Sequence, residues 1–224
     1  MLAYPLTGST AVFGGFLSEL AADDQPHRFL FRGCEVVSGM CVLVLALRAR
    51  VLGRHFWWGM LWTALAAFSL CTLLDVIFTM DCAPTLSAEC RALERSGAVS
   101  LKHRIHTLTS SGAQAGINIS LFAALFLSRV TLARSGAAAG TTGTVGPGAW
   151  TPARRKRLRL VVFLLTLGQT LALAVCLIMY AARIPGVGVA QAVAVLLASI
   201  WFLVFGRVLA QVDPAPAPVT GTTR

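Results

Sequence analysis

The chain has 224 residues, of which 56% are hydrophobic and 12% charged, with a mean hydropathy of +0.74. Soluble domains average about 25% charged residues, so this composition excludes an ordinary water-soluble domain and predicts a bundle surrounded by lipid. The net charge of +10 would suit a nucleic-acid-binding protein. That class is excluded because the basic residues cluster at the ends of apolar runs, without an accompanying aromatic–basic stripe.

Apolar runs predict a single all-α membrane domain over residues 1–210, with six segments. The first run contains three glycines, and a full span needs about 20 apolar residues. We therefore expect this segment to be short or truncated, or the start codon to be misassigned. The six segments are expected at about residues 2–20, 29–47, 56–79, 106–130, 160–182 and 187–209.

Two polar stretches divide and end the domain. Residues 131–156 are rich in Ala, Gly, Thr and Pro, which predicts a flexible loop, and the Pro-rich residues 211–224 are predicted to be a disordered tail. Placing both, and the turn at 48–54, in the cytoplasm puts 12 of the 19 Lys and Arg residues there, as the positive-inside rule requires. The N-terminus is then cytoplasmic if the first segment spans, and external if it does not.

The stretch from Asp75 to Ser111 joins the third and fourth predicted spans on the outer side. Disulfides persist outside the cytoplasm, so Cys82 and Cys90 are predicted to form one. In the chain-entropy model a bridge over so short a loop contributes roughly 2–3 kcal/mol. Two unpaired thiols are the alternative; a zinc site using both is disfavoured because zinc-binding cysteines are usually separated by two to four residues.

A polar stripe runs along one face of the fourth predicted span. Such a stripe cannot face lipid and must point into the bundle or a cavity. Asp75 and Asp81, at the outer end of the preceding span, are expected to lie close to it. The stripe, at helical spacing, consists of His103, His106, Ser110 and Gln114, and Asn118 extends it towards mid-membrane.

These residue types allow several chemistries. Histidines with carboxylates bind metals, act as acid and base, or relay protons; the simplest alternative is that both histidines are interfacial and only hydrogen-bonded to Asp75 and Asp81. No cofactor is evident apart from a possible zinc ion. The candidate sets are His106, Asp81, Ser110 and Glu19 for catalysis, His103, His106 and Asp81 for the metal, and Arg32, Glu35, Asp75, Gln114 and Ser18 for a ligand.

Three other polar positions complete the expectations. Arg32 and Glu35 are three residues apart, and so on one helix face, where they are expected to pair. His27 lies on the outer side and is a possible further member of the site. His55 falls in the cytoplasmic turn and is expected to have no part. The sequence contains no P-loop, Rossmann fingerprint, G-x-S-x-G elbow or H-E-x-x-H motif.

Four short motifs carry a resemblance to a known family. LSEL, QPHRFLFRGCEVVSG, DVIFTMDCAP and KHRIHTLTSSGA together resemble the bacterial membrane family called domain of unknown function 998, over about residues 10–210. The resemblance implies six membrane helices and no established reaction. The chain departs from the family in having only about sixteen residues before S-E-L. The positions that match the motifs are Ser18, Glu19, Arg32, Asp81 and His106.

A looser similarity exists to the ceramidase-like membrane hydrolases, which gather Ser, Asp and His around zinc. This chain lacks their closing H-x-x-x-H in the last span, so the similarity is only an analogy.

The sequence therefore predicts a multi-pass protein of the bacterial plasma membrane with a cytoplasmic C-terminus. Its expected function is to bind a lipid or small ligand in an outward polar pocket, with the bilayer as its environment and no nucleic-acid partner. The sequence gives no protein partner. An intramembrane metal-dependent hydrolase or lipid-remodelling enzyme is one alternative. A proton-coupled transporter is the other, although no internal repeat supports it.

Overall fold

The computed structural model describes residues 14–52, 56–142 and 151–212, and within these ranges every regular element is helical. The prediction of an all-α fold is therefore confirmed. The elements are a short 3-10 helix, Leu17–Ala21, followed by α1 Arg28–Leu52, α2 Phe56–Ile77, α3 Ala88–Ser96, α4 Leu101–Thr142, α5 Pro152–Ala181 and α6 Val187–Val212.

Five of these helices, α1, α2, α4, α5 and α6, are long and apolar enough to cross a membrane. Large apolar side chains stand exposed on their outer faces; Phe29, Leu108 and Leu203 are 72%, 73% and 68% exposed. Water would not tolerate such a surface, but lipid does. The protein is thus a multi-pass membrane protein, and α3 is the one described α-helix that is too short to span.

The first predicted segment is described only at its end. Residues 1–13 lie outside the described part of the chain, whereas Leu17–Ala21 forms the 3-10 helix rather than the end of an α-helical span. The Leu17 N–H donates to Oε1 of Gln191 on α6 (2.5 Å). The 3-10 helix therefore packs against α1 and α6 at the same end of the bundle as the connection between α2 and α4.

Helix α4 extends beyond its predicted limits at both ends. It begins at Leu101 because the Ser100 hydroxyl accepts the His103 N–H (3.3 Å) and so caps the first turn. It ends at Thr142, so residues 131–142 are helical although a flexible loop was predicted there. Their alanines favour a helix.

Residues 143–150 lie outside the described part, and so do residues 213–224, where the disordered tail was predicted. Helix α5 begins at Pro152, after a Thr151 side chain that caps the Arg154 N–H. Helix α6 continues to Val212.

The spanning helices form a closed ring. Helix α2 packs between α1 and α4, α4 contacts α5, α5 contacts α6, and α6 returns to α1. The centre of the ring is apolar, with Leu61, Leu65 and Leu121 fully buried and Trp201 1% exposed. This arrangement leaves the polar residues concentrated at the end where α2 leaves the bundle and α4 enters it.

The most extensive helix contact is between α2 and α4, and glycines make it possible. A Cβ at Gly116 would lie 2.8 Å from both Ala64 O and Phe68 N, and one at Gly112 would lie 2.8 Å from Cys71 Sγ. Small residues at such crossings let two membrane helices approach closely. The contact fixes the antiparallel register that brings the end of α2 against the start of α4.

The connection between α2 and α4 contains the disulfide between Cys82 and Cys90 (Cα–Cα 5.9 Å), as predicted. Cys90 lies in α3, a short helix within the stretch predicted to be a polar loop. Ser87 caps the start of this helix by accepting the Cys90 N–H, and Gly97 ends it in the left-handed conformation (φ 71°).

Candidate functional site

Asp75 is the carboxylate on which the buried polar side chains converge. It lies in the last turn of α2 and is 7% exposed. The register of α2 against α4 places it opposite Thr109 and Ser110, whose hydroxyls both donate to it, the Ser110 bond measuring 2.9 Å. A carboxylate at this depth requires such partners because lipid provides none.

His106 completes this group, which we call the inner cluster: Asp75, His106, Thr109 and Ser110. The His106 ring is 1% exposed. Its Nδ1 lies 2.8 Å from the Phe78 carbonyl and 3.6 Å from Asp75 Oδ1. Since a carbonyl can only accept, Nδ1 carries hydrogen, and the other ring nitrogen, Nε2, faces Ser110 Oγ at 3.2 Å. The predicted proximity of His106 to Asp75 is therefore present.

His103 lies one turn further out and is bonded in the opposite way. It is fully buried, and its Nδ1 accepts the Asp81 N–H (3.2 Å). In the neutral ring the hydrogen is therefore on Nε2. That nitrogen is buried without a hydrogen-bond partner among the described residues, and the nearest carboxylate oxygen, Glu94 Oε1, is 3.9 Å away.

The candidate zinc ligands His103, His106 and Asp81 do not form a coordination sphere. His103 offers no lone pair, because Nδ1 is occupied by the Asp81 N–H and Nε2 carries hydrogen. His106 Nδ1 is held by a backbone carbonyl at 2.8 Å. Within residues 14–52, 56–142 and 151–212, no group of three or more His, Cys, Asp or Glu side chains could hold a metal ion. The zinc expectation therefore receives no support from the geometry.

Asp81, a candidate for both catalysis and metal binding, instead caps the start of α4. It accepts the Ser100 N–H (2.8 Å) and the Ser100 hydroxyl (2.7 Å). Partial burial alone would raise its pKa, but these two hydrogen bonds and the charge of Lys102 outweigh burial and lower the pKa. Asp81 is thus ionised at neutral pH and is positioned as a structural acceptor.

Asp23, which was not among the predicted site residues, joins three segments at this end of the bundle. It pairs with Arg32 of α1 (2.7 Å) and Lys102 of α4 (2.5 Å), and accepts the Thr79 hydroxyl (3.0 Å). Burial opposes ionisation, but these bonds hold the pKa of Asp23 well below its usual range. Arg32 also donates to the Ala21 carbonyl (3.0 Å). The expected Arg32–Glu35 pair is therefore replaced by Arg32–Asp23, because the linker folds back over α1.

Glu35 and Gln114 are left with unsatisfied polar atoms inside the membrane. Glu35 Oε2 and Gln114 Nε2 are buried and have no hydrogen-bond partner in the described part of the chain. The charged groups that interact electrostatically with Glu35 are Asp75 and Arg32. Asn118 donates to the Gln114 backbone carbonyl (2.7 Å), so its own polar group is satisfied within α4.

Glu19 lies with Asp23 and Asp81 in the layer of loop residues next to the inner cluster, which we call the loop layer. It is 2% exposed and accepts both the N–H (3.3 Å) and the hydroxyl of Thr85. Its pKa is raised to about 7, mainly by burial and further by the charges of Glu94 and Asp24, although the two Thr85 hydrogen bonds act to lower it. Its contacts hold the 3-10 helix against the connection between α2 and α3, and Ser18 beside it is half-buried.

Two histidines remain from the sequence candidates. His27 is exposed, and its carbonyl accepts backbone N–H groups at the start of α1. His55 lies outside the described residues. His27 is not part of the inner cluster.

Thr109 and Asp23 are the main residues of this end that the sequence did not predict. Thr109 could have been predicted, because it lies three residues after His106 and so on the same helix face. Asp23 could not, because its partner Lys102 is 79 residues away and no local pattern joins them.

Fold and site together define a multi-pass helical membrane protein with a buried polar cluster at one end of its bundle. The model of the family described as "Protein of unknown function (DUF998)" matches residues 9–208, and the chain belongs to that family. The resemblance inferred from the motifs is thereby confirmed. A search of curated proteins and of solved structures finds no match.

Proposed function

We propose that this protein binds a lipid or a small molecule that presents an ammonium group or another hydrogen-bond donor to the outer end of α1, α2 and α4. The observation that carries the proposal is the buried, unpartnered Glu35 Oε2. A buried polar atom without a partner costs about 1–3 kcal/mol. A ligand that donates to this oxygen would remove that cost, so the site favours occupancy by such a group.

The charges around Glu35 support a cationic rather than an anionic group. Asp75 is its acidic neighbour, and Arg32, the nearby cation, is already paired with Asp23 at 2.7 Å. Two carboxylates in a low-dielectric setting repel each other, and a cation or donor between them relieves the repulsion.

We place this end of the bundle outside the cytoplasm of a bacterial plasma membrane, with the C-terminus inside. The disulfide between Cys82 and Cys90 supports this orientation, since disulfides persist outside the reducing cytosol. The distribution of basic residues, with 12 of 19 on the opposite side, supports it independently.

Native mass spectrometry of the protein purified in mild detergent tests the proposal. Wild type should retain a bound species whose mass distinguishes a lipid from a small metabolite. Glu35→Gln, which removes the charge at little change in volume, should lose it. Ser38→Ala is the matched control, because Ser38 is exposed on the same helix. Equal occupancy in all three proteins would contradict the proposal.

A further inference from the structure

The inner cluster contains a hydroxyl, a base and a group that orients the base, which ligand binding alone does not require. Ser110 Oγ lies 3.2 Å from His106 Nε2, which is hydrogen-bond distance between a hydroxyl and a base. A serine hydroxyl is a weak nucleophile until an adjacent base can take its proton, and that base must itself be held in place by a third group. The third group here is the Phe78 carbonyl, which accepts the Nδ1 hydrogen at 2.8 Å.

We propose that Ser110 is a nucleophilic serine activated by His106, and that the inner cluster transfers or hydrolyses the acyl group of a lipid ester. This activity goes beyond ligand binding and does not depend on Glu35. It also needs no metal ion, which separates it from the hydrolase considered from the sequence.

Asp75 has the position of the acidic partner in such an arrangement. Its Oδ1 lies 3.6 Å from His106 Nδ1, close enough to stabilise the imidazolium that forms when the ring takes the serine proton. Ser110 also lies 2.9 Å from Asp75 Oδ2, and its single hydroxyl hydrogen serves one acceptor at a time. Rotation of that hydrogen from Asp75 to Nε2 gives the reactive state, while Asp75 keeps the hydrogen bond from Thr109.

Gln114 supplies a donor for the negative charge that develops on the substrate. It follows Ser110 by four residues on α4, and so lies on the same face one turn further into the membrane. Its Nε2 is buried and without a partner in the described residues. A donor placed where the oxyanion develops typically makes the largest electrostatic contribution in acyl transfer, and our proposal assigns that role to Gln114.

The depth and accessibility of Ser110 favour a lipid substrate. Ser110 lies nine residues after Leu101, the first residue of α4, or about 14 Å along the helix axis. It is half-buried whereas His106 is almost completely covered, and Leu108, two residues earlier at a similar depth but on another face of α4, is 73% exposed. An ester carbonyl of a membrane lipid can approach at this level, whereas a water-soluble substrate would have to leave water.

The reaction balances without an oxidant or reductant. Ser110 Oγ attacks the ester carbonyl while its proton passes to His106 Nε2. The ester C–O bond breaks and the leaving alcohol takes that proton, which leaves an acyl-Ser110. A water molecule, or the hydroxyl of a second lipid, then attacks the acyl carbonyl and gives its proton to Nε2. The proton returns to Ser110 Oγ as the acid or new ester departs.

Labelling with a fluorophosphonate–rhodamine probe in detergent-solubilised membranes tests the proposal. Wild type and Ser111→Ala should be labelled at equal rates, since Ser111 is exposed and donates to the Thr107 carbonyl (2.8 Å). Ser110→Ala should not be labelled, and His106→Ala should react at least about 100-fold more slowly. Glu35→Gln should still be labelled, which separates this proposal from the binding proposal.

Peptide mass spectrometry of the labelled wild-type protein gives a readout that does not depend on any variant folding. The adduct should map to Ser110. An unreactive wild type, an adduct at another serine, or undiminished labelling of Ser110→Ala would overturn the proposal.

Discussion

The two histidines at the start of α4 are three residues apart in sequence and are bonded in opposite ways. His103 accepts a backbone N–H through Nδ1, whereas His106 donates from Nδ1 to a backbone carbonyl. In neutral rings His103 therefore presents an N–H on Nε2, and His106 presents a lone pair there. The same type of side chain thus holds the loop layer together at His103 and, in our proposal, acts as a base at His106.

The groups around the two histidines also differ, in how exposed they are and in what they join. The loop layer around His103, formed by Asp23, Asp81 and Glu19, joins segments to one another, and its ion pairs are partly exposed; Lys102 is 44% exposed. Pairs of that kind contribute little to stability. The inner cluster around His106 joins side chains to side chains out of water, where each bond is strong and each unpaired group is costly. Structural capping and candidate chemistry thus occupy separate layers.

The largest expected effect comes from breaking the α2–α4 contact on which both layers rest. Gly116→Ala puts a Cβ 2.8 Å from two backbone atoms of α2, which cannot move aside as a side chain would. We expect destabilisation of about 1–3 kcal/mol and slower fluorophosphonate labelling, because Asp75 and His106 lose their register. Thermal unfolding in detergent measures the first effect.

Gly33→Ala is the matched control for that experiment. A Cβ at Gly33 meets nothing within 4 Å, so the substitution should be neutral or slightly stabilising through helix propensity. Equal melting temperatures for the two variants would show that the close crossing does not fix the register.

A smaller effect, confined to the loop layer, is expected from pH. Burial raises the pKa of Glu19 to about 7 from a usual value of 4.5, so the folded state holds this proton more tightly than the unfolded chain. The stabilisation is complete below about pH 4.5 and is lost as the pH rises to about 7. Hydrogen exchange of residues 17–21 and 83–86 should therefore accelerate over that range.

Glu19→Gln cannot ionise and should remove this pH dependence while keeping acceptor and donor groups near Thr85. After correction for intrinsic exchange rates, its profile should be flat where that of wild type rises. A variant that follows the wild-type curve would assign the pH dependence to another group.

The sequence predicted the parts of this structure that depend on local pattern. Helical spacing placed His106, Ser110 and Gln114 on one face, and the cysteine pair in its outer loop predicted the disulfide. The limits of α4 were not predicted because they depend on a Ser100 cap and on the helix propensity of alanine, whereas the loop was predicted from overall composition. The Arg32–Asp23 pair was missed because a fold-back of the linker creates it, and the tautomers of the two histidines depend on backbone atoms that no spacing rule locates.

The central claim, that His106 serves chemistry and His103 serves structure, is tested most directly by replacing each with alanine and measuring two properties. His106→Ala should lose at least about 100-fold in fluorophosphonate labelling rate per folded molecule. His103→Ala should keep its labelling rate but unfold at lower temperature, because the Asp81 N–H loses its acceptor at about 1–3 kcal/mol. If His103→Ala abolishes labelling while His106→Ala labels as wild type does, the account is contradicted.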